Sequence, residues 1–174
     1  MKLSTLTEDS DKQPTQEMIN FYEKRTKEHI DRVVANMLIV SGDFEGLKER
    51  STKHDASKYS DIERTPYIWL TEFHRCKNEG EDFTYPPGIE EKVNKATGHH
   101  IKTNQHHPES HDSIEDMTET DIVEMVCDWT AMSQELNQDG GSAKGWADKN
   151  VGTKWKFTNE QKDLIYKTID ILDK

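Results

Sequence analysis

Apolar side chains recur at every third or fourth position along most of the chain, which is the pattern of amphipathic helices. The longest such run covers residues 15–40 and ends at Ser41-Gly42, where glycine is typical of a helix C-terminus. Five further helical segments are predicted to begin near Phe44, Ser60, Pro87, Thr118 and Thr158. The sequence contains no convincing alternation of apolar and polar residues, which would indicate a strand. We therefore expect an all-α fold.

Two of these helices carry a recognisable start signal. Ser60 with Glu63, and Thr158 with Gln161, have the spacing of a capping box, in which two side chains satisfy the unpaired amides of the first helical turn. Pro66 lies shortly after the first of these signals, and it is expected to interrupt or redirect that helix.

The composition is unusually polar for a folded domain. Leu, Ile, Val and Phe together make up about 18% of the 174 residues, and the formal net charge is −11. This combination approaches that of disordered chains. The length nevertheless suits one domain, so we expect a single-domain helical bundle over residues 15–174, preceded by a flexible N-terminal segment, residues 1–14.

Charge and hydropathy argue against several classes of function. An acidic chain is a poor binder of duplex nucleic acid, because such binding depends on basic residues that displace counterions. No run of ~18 apolar residues is present to span a membrane, and the N-terminus lacks the apolar core of a secretory signal. Cys76 and Cys127 form neither a disulfide framework nor a paired zinc motif, so a reducing, cytoplasmic compartment is expected.

The distribution of histidine is the most informative feature of the sequence. Four of the eight histidines fall within residues 99–107. At ~100° per residue, His100 lies in the middle of the apolar stripe of the fourth predicted helix, whereas His99 lies on its flank; a bend in the helix would exchange the two. His29 lies on the edge of the apolar stripe of the first helix.

Asp128 lies on the edge of another apolar helix face, within residues 126–132. Burying a carboxylate is costly unless it is paired, hydrogen-bonded or bound to a metal. A single such Asp or His is more typical of a surface position or of a hydrogen-bonded core residue. Together with the pair His54-Asp55, however, these residues favour a site for a hard or borderline divalent ion, for which imidazole and carboxylate are natural ligands. Trp129 beside Asp128 is interpreted as a core residue.

The order of these residues resembles the HD superfamily of metal-dependent phosphohydrolases. In that family a first His, an adjacent His-Asp pair and a late Asp from separate helical segments bind the metal. Four residues match these positions in order: His29, His54, Asp55 and Asp128.

Two further segments carry the resemblance. Residues 54–58, HDASK, are similar to the HD-x-x-K segment of the HD-GYP branch, and residues 100–109, H-x-x-x-N-x-H-H-P-E, resemble a group of small HD-like proteins of phages and bacteria. The GYP tripeptide of the first branch is missing here, which argues against hydrolysis of cyclic dinucleotides.

The resemblance implies an HD-like helical bundle and a phosphomonoesterase or phosphodiesterase that acts on a nucleotide or another small phosphate ester through a metal-activated water. It also implies two divalent ions, of Mn, Fe, Co or Zn with Mg as an alternative, which Asp55 bridges. Two ligand sets follow, with His29, His54 and Asp128 for one ion and His100, His106 and His107 for the other. Lys58, about one helical turn after Asp55, is expected to bind phosphate or to stabilise negative charge in the transition state. Asn104 is expected to contact the substrate or to cap the end of its helix. Glu63 and Glu109 are expected either to orient a ligand histidine or to be a cap or a surface charge.

Two alternatives stay open. The same histidines resemble the ligands of a di-iron HD-type oxygenase, as in the inositol oxygenase family. Alternatively, the metal stabilises a non-catalytic interaction protein, although such a site has no need of Lys58. In every case ion binding would supply folding free energy that a small apolar core lacks. The oligomeric state is not predicted.

Overall fold

The computed structural model describes residues 13–174, and this part of the chain is helical and contains no β-strand. The prediction of an all-α fold is confirmed. The predicted flexible segment, residues 1–14, lies outside the described residues except for Gln13 and Pro14. The α-helices of the described residues are α1 (Gln16–Val40), α2 (Leu47–Arg50), α3 (Arg64–Glu79), α4 (Ile89–Thr103), α5 (Glu119–Leu136), α6 (Lys144–Asn150) and α7 (Asn159–Leu172). None of them combines the length and the apolar character that crossing a lipid bilayer requires.

The helix boundaries follow local chemistry that the sequence partly shows. Thr158 and Gln161 form the predicted capping box at the start of α7. Helix α3 begins later than predicted, at Arg64, and its Glu63 makes no capping hydrogen bond through its side chain. Pro66 does not interrupt α3, because it occupies the first turn, where its missing N–H has no helical partner to lose. The short helix α6 was not predicted.

The chain divides into two units. The first comprises residues 13–26 and 56–100 of the described chain, and the second comprises residues 27–55 and 101–174. The first unit has its own apolar core, formed by Met18, Tyr22, Ile68, Trp69, Ile89 and Val93.

The second unit contains two apolar clusters, and α5 contributes to both. On one side, α5 packs with α6, α7 and the turn that follows α6; buried residues of this cluster include Met125, Trp129, Trp155, Phe157 and Ile165. On the other side, Val123 and Cys127 of α5 pack against Val33, Met37 and Val40 of α1. Helix α5 is thus the central element of this unit, and its Asp121 and Glu124 are buried beside these apolar clusters.

Candidate metal centre

Four side chains of the second unit converge on one point. His29 comes from α1, Asp128 from α5, and the pair His54-Asp55 from the turn after the short 3-10 helix Ser51–Lys53. One potential ligand atom from each lies within 4.8 Å of all the others. We call these four residues the ligand group. The structure brings these four residues together, and the group could hold a metal ion.

Asp55 lies at the centre of the ligand group. Its Oδ2 is 3.6 Å from Nε2 of His29 and 3.6 Å from Nε2 of His54. Its Oδ1 is 3.6 Å from Nε2 of a further residue, His106. The two oxygens of one carboxylate therefore face two different sets of histidines.

The backbone at Asp55 is strained as well as buried. Its side chain and backbone are 1% exposed, and its φ of 54° lies in the left-handed region. That conformation costs a residue with a Cβ roughly 1–2 kcal/mol, although aspartate tolerates it better than most residues. Strain of this kind persists only where the surroundings enforce it, and it is common at functional sites.

A buried carboxylate, Glu124, fixes the orientation of His54. The Nδ1–H of His54 donates a hydrogen bond of 2.8 Å to Glu124, which leaves Nε2 as the basic nitrogen. Glu124 is in turn held by Arg50, whose guanidinium donates at 2.9 Å to Glu124 and at 2.8 Å to Asp121. Burial acts to raise the pKa of Glu124, but the hydrogen bonds with His106 and His54 outweigh it and lower the pKa to about 2. Glu124 is therefore ionised, as a partner that orients a ligand histidine must be.

Asp128 and His29 form the second close pair of the group. His29 Nε2 lies 3.0 Å from Asp128 Oδ1, and His29 Nδ1 lies 3.9 Å from Glu135. Burial acts to raise the pKa of Asp128, but the hydrogen bond with His29 and the neighbouring imidazoles outweigh burial and hold the pKa well below its usual range. Asp128 is thus a carboxylate rather than a neutral acid, which suits a metal ligand.

His106 extends the group on the Oδ1 side of Asp55. Its ring lies 4.7 Å from the ring of His54 and 4.2 Å from that of His107, measured between centroids. Burial acts to lower the pKa of His106, but the carboxylates around it, first of all Glu124, raise the pKa above its usual value. His106 is buried and His107 is half-buried. An imidazole can bind a metal ion only in its neutral form. A metal ion at His106 would therefore compete with a proton for the ring nitrogen.

His100 belongs to the first unit, where it has a carboxylate partner of its own. Glu63, which is fully buried, accepts hydrogen bonds from Nδ1 of His100 at 3.0 Å and from Nδ1 of His99 at 2.6 Å. Ser57 donates a third, of 2.9 Å. His100 is 5% exposed, whereas the side chain of His99 is 34% exposed. The helix phase therefore placed His100 inward correctly. Its share in a second metal site with His106 and His107 stays a prediction.

The two predicted substrate-binding residues are both half-buried. Lys58 lies in the 3-10 helix Ala56–Tyr59 of the first unit, and its carbonyl oxygen accepts a hydrogen bond of 2.7 Å from Tyr22. Asn104 follows the end of α4, and its carbonyl oxygen accepts from the backbone N–H of His107 at 3.1 Å. These contacts fix the backbone at both positions, and the roles of the two side chains stay predictions.

The chemistry of the ligand group fits a divalent cation. His54 Nε2 is buried and makes no hydrogen bond within the described residues, yet it faces Asp55 at 3.6 Å and Asp128 at 3.8 Å. A buried basic nitrogen without a partner is costly, and two carboxylates close together repel each other. A cation bound among them would remove both costs at once. Imidazole nitrogen with carboxylate oxygen is the donor set of borderline transition metals.

Two residues near the ligand group were missed in the sequence, and a third residue, in the first unit, had two possible roles. Glu124 lies one helical turn before Asp128 and inside an apolar segment, which is a signal that could have revealed it. Glu63 was expected as a cap or as the partner of a histidine, and its carboxylate accepts hydrogen bonds from His99 and His100. Arg50 carries no local signal, because its partners lie more than 70 positions away in the sequence.

A family model described as a family of unknown function, DUF5662, matches residues 18–171 of the chain. The chain belongs to this family. The matched part of this chain includes the whole ligand group together with His100, His106 and His107. No curated protein and no solved structure matches the chain.

Proposed function

We propose that this protein is a metal-dependent phosphohydrolase of the HD type, which cleaves a small phosphate ester with a metal-activated water. The observation that carries the proposal is the central position of Asp55. Its Oδ2 faces His29 and His54, and its Oδ1 faces His106. A carboxylate with one oxygen towards each of two histidine sets is suited to bridge two ions.

Divalent ions held by these ligands would supply an activated water and would stabilise the negative charge that develops on a phosphoryl oxygen. The residues themselves do three things. Asp55, with Asp128, supplies the negative charge that binds cations in this interior. Glu124 keeps His54 in the tautomer that presents Nε2, and Arg50 prevents Glu124 from acting as a competing ligand by holding its second oxygen.

The second ion would involve His106 and His107. His106 supports this part of the proposal because it already faces Asp55. Glu63 gives His100 the arrangement that Glu124 gives His54, since each buried glutamate accepts from the Nδ1 of a histidine. In both cases Nε2 is the nitrogen that could act as the ligand.

Lys58 and Asn104 are proposed to bind the substrate. The chain has a net charge of −11, so a phosphate ester needs a local source of positive charge. The ions supply most of it, and Lys58 would add a donor for a non-bridging phosphoryl oxygen. The side-chain amide of Asn104 would donate a hydrogen bond to the leaving group or accept one from it.

The proposal is tested by hydrolysis of a panel of phosphomonoesters and phosphodiesters, with Mn²⁺, Co²⁺ or Fe²⁺ added. Monoester hydrolysis is followed by release of inorganic phosphate, and diester hydrolysis is followed by formation of the monoester product. We expect metal-dependent turnover, which Asp55→Asn abolishes. Asp139→Asn is the matched control, because Asp139 also has a left-handed φ, of 46°, and is exposed. Metal-bound protein that hydrolyses neither a monoester nor a diester would contradict the proposal. Turnover that requires both iron and dioxygen would indicate the di-iron oxygenase instead.

A further inference from the structure

The second unit contains a cavity that is lined by unusually many tryptophans. Its volume is about 330 Å³. Three of the four tryptophans in the chain line it, namely Trp129, Trp146 and Trp155. Small-molecule sites are typically concave, mostly apolar and ~300–1,000 Å³ in volume. The cavity is therefore large enough for one small ligand, and its walls are suited to a flat one.

The three tryptophans differ in how far they are buried. Trp129 and Trp155 stack on each other, with centroids 5.7 Å apart and planes at 14°, and both are buried. Trp146 on α6 is 45% exposed, and Leu136, which also lines the cavity, is 43% exposed. The cavity lining therefore has apolar surface that a ligand could cover. The turn after α6 supports this arrangement, since Gly152 has a φ of +85° and its N–H donates to the carbonyl of Trp155 at 2.7 Å.

Polar groups are placed around this apolar wall. Glu109 accepts a hydrogen bond of 3.3 Å from the indole N–H of Trp155. Lys154 lies 4.0 Å from the centroid of the Trp155 ring and 3.5 Å from Glu109, so it brings positive charge to the rim of the cavity in an acidic protein. Gln138, also on the lining, has an amide that can donate and accept at once. Hydrogen-bonding groups of both kinds beside aromatic faces are suited to the polar edge of a heterocycle.

One member of the ligand group connects the cavity to the candidate metal centre. Asp128 belongs to the ligand group and also lines the cavity. On α5 it is followed directly by Trp129, whose ring forms part of the apolar wall. A ligand in the cavity would therefore have one end beside the metal ligands and its remaining surface against the tryptophans.

We propose that this cavity binds the nucleobase of a nucleoside monophosphate, which makes mononucleotides the substrate class of the phosphohydrolase. The inference rests on the proposed function for the phosphate end and on the cavity for the base. Trp146 stacks on the base, Gln138 reads its polar edge, and the ester is held towards Asp128. The volume, at the lower end of the range for small-molecule sites, suits one nucleoside rather than a dinucleotide.

Binding of free nucleosides tests the base site without any reaction. Adenosine, guanosine, cytidine and uridine are titrated into the protein by calorimetry, with ribose as the ligand that lacks a base. Stacking of a base on an aromatic ring is worth enough that Trp146→Ala should weaken binding of the preferred nucleoside roughly 5- to 100-fold. Trp146→Phe keeps an aromatic face and should recover most of this loss. Leu38→Ala is the control, because Leu38 is 49% exposed but does not line the cavity.

The outcomes separate this inference from the proposed function. If no nucleoside binds better than ribose, or if Trp146→Ala binds as the wild type does, the base site is wrong. A nucleoside 5′-monophosphate should also have a higher kcat/KM than ribose 5-phosphate, and Trp146→Ala should remove the difference. Equal hydrolysis of both esters would overturn the substrate class and leave the phosphohydrolase intact. Nucleoside binding that depends on Trp146, in a protein that hydrolyses no ester, would support the base site and refute the phosphohydrolase.

Discussion

Two of the surfaces of helix α5 are stabilised in different ways. On one, Met125 and Trp129 pack into an apolar cluster with residues of α6 and α7. On another, the buried Glu124 and the half-buried Asp128, one turn apart, lie among histidines. The first surface gains free energy by removing apolar area from water. The second brings negative charges into the interior, where they are compensated by Arg50 and by imidazoles.

The difference indicates that the charged surface of α5 serves a function other than stability. Replacing buried ion pairs by apolar residues is often neutral or stabilising, so a buried charge cluster is a weak device for stability. The charges near Asp128 are also incompletely matched, because His54 Nε2 has no hydrogen-bond partner within the described residues. Substitutions on the apolar surface should therefore reduce stability and leave metal affinity unchanged. Substitutions around the ligand group should reduce metal affinity and change the stability of the metal-free protein much less.

The largest effect is expected for Asp55→Asn. Loss of a carboxylate that faces three histidines should lower metal affinity more than about 100-fold, since even a residue that only orients a ligand contributes 10- to 100-fold. Affinity is measured by competition with a chelator of known strength. Asp139→Asn should bind metal as the wild type does. Equal affinity in the two variants would show that Asp55 is not a ligand.

The apolar surface is tested by Ile165→Ala. Ile165 is fully buried in the cluster that contains Trp129, and truncation of such a residue typically costs 2–5 kcal/mol, so we expect a loss of about 3 kcal/mol in the free energy of unfolding. Urea denaturation measures the loss, and chelator competition should show unchanged metal affinity. A large loss of affinity would mean that the two surfaces of α5 are not independent.

Glu124→Gln tests the residue that orients His54. Glutamine keeps the size of Glu124 but removes the charge that holds the Nδ1–H of His54 and the guanidinium of Arg50. We expect metal affinity to fall roughly 10- to 100-fold, less than for Asp55→Asn. Glu119→Gln, at an exposed position in the first turn of the same helix, is the control. An effect as large as that of Asp55→Asn would indicate that Glu124 is itself a ligand.

The smallest effect is expected from chelation. Metal present at about ten times its Kd stabilises the folded state by roughly 1.4 kcal/mol, and removing it should lower Tm by about 3–6 °C for a chain of this size. Differential scanning calorimetry with and without EDTA measures the shift. The same shift in Asp55→Asn would show that EDTA acts elsewhere on the protein.

The sequence was most informative about features that a local pattern of residues records. The period of apolar residues predicted α1, α4, α5 and α7, and the capping box at Thr158 located the start of α7. The order of histidines and aspartates predicted the ligand group. Each member lies on or beside the inward face of a helix or in the turn between helices.

Other features depend on contacts that no local pattern records. Arg50 and Glu124 meet across 74 positions of sequence, so their pairing requires the folded chain. The spacing of Glu63 fits both a helix cap and a partner of a histidine, and only the folded chain shows that its carboxylate accepts from His99 and His100. The interpretation of Trp129 as a core residue is confirmed by its 9% exposure. It nevertheless also lines a cavity, which only the positions of Trp146 and Trp155 reveal.

The central claim is that the ligand group binds a metal, and elemental analysis of the purified protein tests it most directly. Protein loaded with Mn²⁺, Fe²⁺, Co²⁺ or Zn²⁺ and then freed of excess ion should retain at least one ion per chain. Asp55→Asn should retain none, and Asp139→Asn should retain as much as the wild type. Wild-type protein that is folded and retains no ion, or an Asp55→Asn variant that retains the full amount, would contradict the account.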